Sequence, residues 1–525
     1  MSLLRSIATI GGFTLLSRVT GFARDILTAN VLGAGVVADV FFVAFKFPNL
    51  FRRLFAEGAF SAAFVPIYAG MVERDGLREA NLFAERALAV LGTVLLAFVA
   101  LMELAMPWAM YGFAPGFGSV PGKIELAVEM TRITFPYLVF ISVVSLQAGV
   151  LNSLGRFAAA AAAPILLNLT MIGALLALSP ITETPGHALS WGVAAAGLFQ
   201  LAWLSVRCAR AGAALRLVRP RFDDKVRLLL RRIAPVAFGA GLYQINLLVD
   251  TILASTVANG AVSFLYYADR VNQFPLGVVG VAVGTALLPL LSRRLGAGDE
   301  AGAMTSQNRA LEFALLLTVP AAVALMLTAG PVVSVLFERG AFGPAERDAT
   351  AAALAAFAVG LPAFVLIKAL TPGFFARHDT ATPVRCAAVA LVANVVLSLI
   401  LMGSMKHVGI ALASSLSSWL NAGLLATILH RRGFLAIDAR LRSRLPRLFF
   451  SCSVLGGVMA LGLRGLEPFL SGPLAVRSAA LALLVAGGLG AFALLAQLTG
   501  LARLSDLRSM MRGQDAPPPP PVRES

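Results

Sequence analysis

The chain has 525 residues, of which 58% are hydrophobic and only 13% charged, and its mean hydropathy is +0.83. That balance excludes an ordinary soluble domain and calls for lipid around most of the surface. The formal net charge of +16 does not point to nucleic acid, because the cations fall in alternate loops rather than on one domain. The three cysteines, Cys208, Cys386 and Cys452, lie in or beside apolar runs without metal-ligand spacing and read as small hydrophobes. His187, His378, His407 and His430 are scattered, and no phosphate-loop glycine pattern precedes a lysine. Neither an enzyme nor an ATP-driven transporter is suggested.

The N-terminus starts like a signal peptide, with Arg5 ahead of an apolar run. Arg18 and Arg24 break the run and no small-residue cleavage site follows, so it reads as a retained first helix. Window hydropathy predicts an all-α polytopic membrane protein with about fourteen spans. They fall near 3–32, 36–55, 82–110, 123–150, 158–178, 188–208, 228–257, 261–291, 308–329, 347–375, 383–402, 408–430, 446–464 and 475–501.

An even count puts both termini on one side. Arg74 and Arg78 sit between spans two and three, and Arg207 to Arg232 supply nine cations around the six–seven connection. Arg293, Arg294 and Arg309 flank the eight–nine connection, and Arg431 to Arg447 the twelve–thirteen one. The loops at 179–187 and 257–261 have none. The positive-inside rule then predicts cytoplasmic termini and a periplasmic 179–187 loop. Residues 503–525, with prolines at 517–521, read as a disordered cytoplasmic tail.

The chain resembles itself at a shift of about 226 residues. Phe135-Pro136 corresponds to Leu361-Pro362, Phe47-Pro48 to Phe274-Pro275, and Asp25 to Asp250. The paired spans lie an even number of helices apart, which predicts parallel repeats with substrate bound at their interface. The expected organisation is an N-terminal lobe at 1–210 with spans one to six and a C-terminal lobe at 211–432 with spans seven to twelve. Two extra spans follow at 433–502.

Charge at membrane depth is costly and marks a cavity, a partner or a pathway. Arg18 and Arg24 interrupt span one, and Asp269-Arg270 interrupt span eight. In span two, Asp39, Lys46 and Arg53 recur at seven-residue steps with Asn49 on the same stripe, as a cavity wall requires. Asp25 and Asp250 each need an ion or a cationic partner. The excess is cationic, so the expected cargo is anionic; arginine's planar fork suits phosphate oxygens.

Arg52-Arg53-Leu54-Phe55-Ala56-Glu57-Gly58-Ala59-Phe60-Ser61-Ala62-Ala63-Phe64-Val65-Pro66 is similar to the signature of MurJ/MviN-type lipid II flippases. These belong to the multidrug/oligosaccharidyl-lipid/polysaccharide exporter superfamily. Ser17-Arg18-Val19-Thr20-Gly21-Phe22-Ala23-Arg24-Asp25 and Asp269-Arg270 with Phe274-Pro275-Leu276-Gly277-Val278 also match, and the resemblance runs from about residue 5 to 500. It implies fourteen helices in two lobes around a central cavity, with two extra C-terminal helices forming a hydrophobic groove. It also implies movement of undecaprenyl-pyrophosphate-linked disaccharide-pentapeptide (lipid II) from the inner to the outer leaflet of the cytoplasmic membrane. The substrate-binding residues that carry over are Arg18, Arg24, Asp39, Arg52, Arg53, Glu57, Asp269 and Arg270. Gln273 stands where many members have an acid. No cofactor is implied beyond a coupling monovalent cation, sodium, with Asp250 and Asp379 as its ligands. The implied partners are lipid II, membrane lipids and cell-wall synthases. The alternative is a cation-coupled exporter of drugs or other lipid-linked oligosaccharides from the same superfamily; a drug antiporter would favour an acidic cavity, and the arginines argue against it.

Overall fold

The structure is a computed structural model that describes residues 3–55 and 59–501. Among these residues the fold is helical throughout. The helices are α1 (Leu3–Leu32), α2 (Val36–Phe55), α3 (Ala59–Arg74), α4 (Gly76–Phe113), α5 (Lys123–Thr134), α6 (Tyr137–Ser153), α7 (Phe157–Leu178) and α8 (Pro185–Arg210). They continue as α9 (Asp224–Val257), α10 (Ala261–Gly296), α11 (Glu300–Phe337), α12 (Pro344–Phe375), α13 (Ala381–Arg431), α14 (Ala439–Leu470) and α15 (Leu474–Leu498). Nine helical stretches among the described residues are long and apolar enough to cross a membrane.

Span four stands as one membrane-length stretch, Lys123–Ser153, broken into α5 and α6 at Phe135-Pro136, where proline brings no backbone N–H. Two features depart from the hydropathy reading. Helix α3 was not anticipated. Its 16 residues fall short of a spanning length, yet Phe60, Phe64 and Tyr68 are buried on it. Helix α13 takes in both spans eleven and twelve, but Lys406 breaks it with φ +51° and ψ −133°. A Cβ on Gly409 would lie 2.6 Å from the Leu401 carbonyl, so only glycine lets the chain turn this tightly.

The described chain packs as two compact units. The first comprises Met1–Arg270, Leu336–Ala353 and Ala387–Ser414; the second comprises Val271–Val335, Leu354–Cys386 and the chain from Ser415. These units cut across the sequence halves 1–210 and 211–432. In the first, α3 packs on α4, α6 and α9 through Phe60, Phe64, Tyr68, Phe83, Leu146 and Val226. In the second, Leu287, Leu311, Phe374, Leu425 and Leu429 form the core. There α14 and α15 pair, and Leu448 and Cys452 pack on Val319 and Val323 of α11. An open apolar groove runs between α11 and α14, lined by Val323, Met326, Leu327, Phe449, Cys452 and Gly456.

The outward faces invert the pattern of a soluble protein. Leu104 and Trp108 of α4 and Leu498 of α15 are each about three-quarters exposed. Aqueous exposure on this scale is unfavourable by roughly 25 cal/mol per Å² of apolar surface, whereas hydrocarbon accepts it. The polar groups face inward instead. Asp39, Thr131, Ser190, Asn394 and Ser398 are fully buried.

Candidate functional site

Within the first unit, α1, α7 and α10 bring together a charged cluster. Arg24 is buried, and its Nη2 and Nε donate to Asp25 Oδ1 at 2.7 and 3.1 Å. Its Nη1 donates to Asn168 Oδ1 of α7 at 3.0 Å. Arg270 Nε lies 3.2 Å from Asp25 Oδ2, and the Tyr266 hydroxyl donates to Asp25 Oδ1 at 3.2 Å. Arg270 Nη2 donates to the Tyr266 oxygen at 2.9 Å, and its guanidinium lies over the Tyr266 ring. That ring stacks on Phe42 with centroids 3.8 Å apart. Aromatic packing and ion pairing therefore fix Arg270 in place while a third of its side chain stays exposed.

Two guanidiniums share one carboxylate, so the trio keeps one positive charge. Arg24 already uses its fork on Asp25, Asn168 and Tyr266. Arg270 presents the accessible face. Arg24 and Arg270 thus come together as expected, through Asp25. Arg18 does not join them: it lies exposed on α1 and has no hydrogen bond or ion pair among the described residues. Six residues separate Arg18 from Arg24, which turns the two side chains about 120° apart on a straight helix. Asp269 is half-buried beside Arg270.

Asp39 has a different environment from the one the polar stripe suggested. It is fully buried and its carboxylate accepts from Lys123 Nζ (2.9 Å), Gly260 N (2.7 Å), Ser263 N (2.9 Å) and Ser263 Oγ (2.7 Å). The backbone donors belong to the start of α10, so Asp39 caps that helix from a distant part of the chain. None of its partners is an arginine. Lys46 reaches Thr251 Oγ1 of α9 at 3.4 Å, and Arg52 donates to Asn49 Oδ1 at 2.9 Å along α2. The Arg53 side chain and all of Glu57 lie outside the described residues.

A second polar cluster surrounds Asp250 of α9, also within the first unit. Asn394 Nδ2 donates to Asp250 Oδ1 at 2.8 Å and lies 3.1 Å from Asn246 Oδ1. Ser414 Oγ lies 3.2 Å from Asp250 Oδ2 and 3.3 Å from Asn394 Oδ1. One turn along α13 from Asn394, Ser398 is fully buried and its hydroxyl has no partner. Asn394 turns its amide N–H toward Asp250, so the carboxylate is satisfied by hydrogen bonds, while the carboxylate, amide and hydroxyl oxygens gathered around it are of the kind a hard cation takes.

Asp379 lies in the connection between α12 and α13, where its Oδ1 accepts from Thr382 N at 2.9 Å and its Oδ2 from Thr382 Oγ1 and Arg432 Nη1, each at 2.6 Å. Its carboxyl is held down at about 2 by the Thr382 hydroxyl, then the Thr382 amide and Arg432. That is a helix cap with a cationic clamp.

Sequence reasoning placed Tyr266 on one helix face with Asp269 and Arg270, and missed Asn168, Lys123, Asn246, Asn394 and Ser414. The repeat carried a signal for two of them, because Asn168 and Asn394 differ by 226 positions.

Helices packed around buried charges, with apolar faces turned outward, define a polytopic transporter. Solved structures share the fold. One is titled "Lipid II flippase MurJ, inward closed conformation", with TM-score 0.76 and 24% identity over 96% of this chain and 99% of that one. Another is an inward-facing multidrug resistance MATE family transporter of the MOP superfamily, with TM-score 0.66 and 13% identity over 81% of this chain and 98% of that one. The sequence is more specific. Residues 28–479 match the profile described as "Lipid II flippase MurJ". A "Probable lipid II flippase MurJ" from Rhizobium tropici is 45% identical over 98% of both chains. The chain belongs to the MurJ lipid II flippase family, and is a multi-pass membrane transporter rather than an enzyme.

Proposed function

We propose that this protein moves lipid II from the inner to the outer leaflet of the cytoplasmic membrane by alternating access, supplying peptidoglycan synthesis. The observation that carries the reading is the Arg24–Asp25–Arg270 cluster with its cationic excess and its accessible Arg270 face. A pyrophosphate approaching Arg270 gains charge-assisted hydrogen bonds and competes with Asp25 for the guanidiniums. Asp25 in turn keeps the arginines paired when no anion is bound. Without such a counter-charge, each cation would cost about 2.5–3.5 kcal/mol at the centre of a helix on insertion scales. Arg18, exposed on the same helix, supplies a further cation along the path.

The polyprenyl tail needs no polar contact. The groove between α11 and α14 offers an apolar surface of the right chemistry. The oxygen cluster at Asp250 supports sodium as the coupling ion, held by Asp250, Asn246, Asn394 and Ser414. Asp379 is already engaged by Thr382 and Arg432 and is not included. We take the halves 1–210 and 211–432 as the repeats that alternate, with helices at 433–502 appended. The product would be consumed by cell-wall synthases, the partners this reading implies. A cation-coupled drug exporter is less well supported, because it calls for an acidic site where two arginines stand.

Depletion of the protein in cells tests the function. Lipid II should accumulate in the inner leaflet and become inaccessible to an externally added lipid II-cleaving colicin. Unchanged accessibility after depletion would refute the reading. Both termini are assigned to the cytoplasm on the cation asymmetry. In a cysteine-free background, an impermeant thiol reagent should label Ile181→Cys in intact spheroplasts and leave Pro220→Cys unlabelled; the opposite pattern would invert the topology.

A further inference from the structure

We propose that Glu129, Glu183 and His187 form a binding site for a divalent transition metal, zinc by preference, that ties α5 to the connection between α7 and α8. Their ligand atoms all lie within 4.8 Å of one another. Glu129 is on α5, Glu183 is in the connection between α7 and α8, and His187 is in the first turn of α8. None belongs to the arginine cluster or to the oxygen cluster at Asp250.

The histidine points to a ligand. His187 is 95% buried, and its Nε2 has no hydrogen-bond partner. It faces Glu129 Oε1 at 3.5 Å, too far for a hydrogen bond. The other ring nitrogen, Nδ1, is 3.0 Å from Thr184 Oγ1. With Nδ1 donating to that hydroxyl, the Nε2 lone pair is left free and aimed at the two carboxylates. A metal-bound histidine is held in this way, with its second nitrogen occupied by an outer hydrogen bond. Glu183 makes no hydrogen bond or ion pair among the described residues.

The backbone holds this arrangement. A Cβ on Gly186 would lie 2.6 Å from Met130 Cε and 2.8 Å from Val37 Cγ1, so the first turn of α8 is pressed against α5 next to Glu129. Pro185 fixes the entry to α8. The imidazole is therefore built in, while both glutamates are exposed and free to adjust. Tetrahedral zinc with ligands at 2.0–2.2 Å separates its ligand atoms by roughly 3.4 Å, a closure that rotation of two exposed glutamates provides. Water takes the fourth position. Imidazole nitrogen selects zinc over magnesium or calcium, which want oxygen alone. A protonated His187 paired with Glu129 is the competing arrangement, and it gives Glu183 no role.

The test uses the full-length protein without a histidine tag, purified in detergent and stripped with a chelator. Zinc is titrated against a chromophoric indicator, with millimolar magnesium present throughout. One tight equivalent is expected in the parent protein. His187→Ala should lose it, and Glu183→Gln should bind at least about tenfold more weakly. Zinc should raise the unfolding temperature of the parent and not that of His187→Ala. Glu183→Gln alters only an exposed side chain, so it decides the matter if His187→Ala does not fold. Absence of a tight equivalent in the parent, or parent-like binding by Glu183→Gln, would overturn the site.

Discussion

Asp25 of α1 sits between Arg24, its own neighbour at 2.7 Å, and Arg270 of α10 at 3.2 Å. One carboxylate thus organises two cations that are 246 positions apart. Its strength has to be matched to the cargo: the arginines must be held when empty and released to a phosphate.

Arg270→Ala should abolish complementation of a flippase-depleted strain at normal protein level. Arg270→Lys should retain part of the activity, because it keeps charge but loses the planar fork and the stacking on Tyr266. Loss of one charge-assisted hydrogen bond, about 1.5–3 kcal/mol, corresponds to a roughly 10- to 100-fold slower transport of lipid II. Leaflet-resolved transport measurements would check the order parent, lysine, alanine. Equal activity of all three would remove Arg270 from the path.

Asp39 and Lys123 should behave as a structural pair. Each is almost wholly buried, and Lys123 Nζ also donates to Asn259 Oδ1 at 2.9 Å. Breaking such a pair from one side leaves an uncompensated charge and costs about 3–5 kcal/mol. Asp39→Asn and Lys123→Met should each lower the unfolding temperature sharply. The double variant should lose less than the sum of the two. Additive losses in thermal denaturation would show that the pair is not coupled.

Sodium should protect the folded protein through Asp250. In detergent, replacing potassium with sodium should raise the unfolding temperature of the parent. Asp250→Asn and Asn394→Ala should abolish that increment. An increment that survives in Asp250→Asn would place the cation elsewhere.

The clamp on Asp379 should appear in the acid limb of stability. Its folded value of about 2 lies below the ordinary 3.8, so ionisation favours the folded state. The contribution is complete above pH 3.8 and falls away as pH drops toward 2. Asp379→Asn should therefore be less stable than the parent at neutral pH, and the gap should close over that acid interval. A gap constant from pH 6 down to 2 would exclude the linkage.

Sequence alone revealed the charges that break apolar runs, and so Arg24 and Arg270 were visible. It also gave the helical class and most span positions, because lipid demands long apolar helices. What it concealed was tertiary pairing. Asp39 looked like a cavity residue, yet its cation partner stands 84 positions away on α5 and its other donors start α10. Helix α3 escaped because a window set for a full span passes over a helix of 16 residues. His187 and Glu129 carry no metal-ligand spacing and meet only because Gly186 lets α8 close on α5.

The guanidinium of Arg24 lies between Asp25 and Asn168, and the positions 225 and 226 further on are Asp250 and Asn394, which touch each other directly. In the reading proposed above, the first copy of this acid–amide pair carries its cation on a tether and the second takes one from solution. A tethered cation cannot dissociate, so changes in external salt would reach only one of the two duplicated pairs. Gene duplication would then have yielded a permanently loaded copy beside a reversible one.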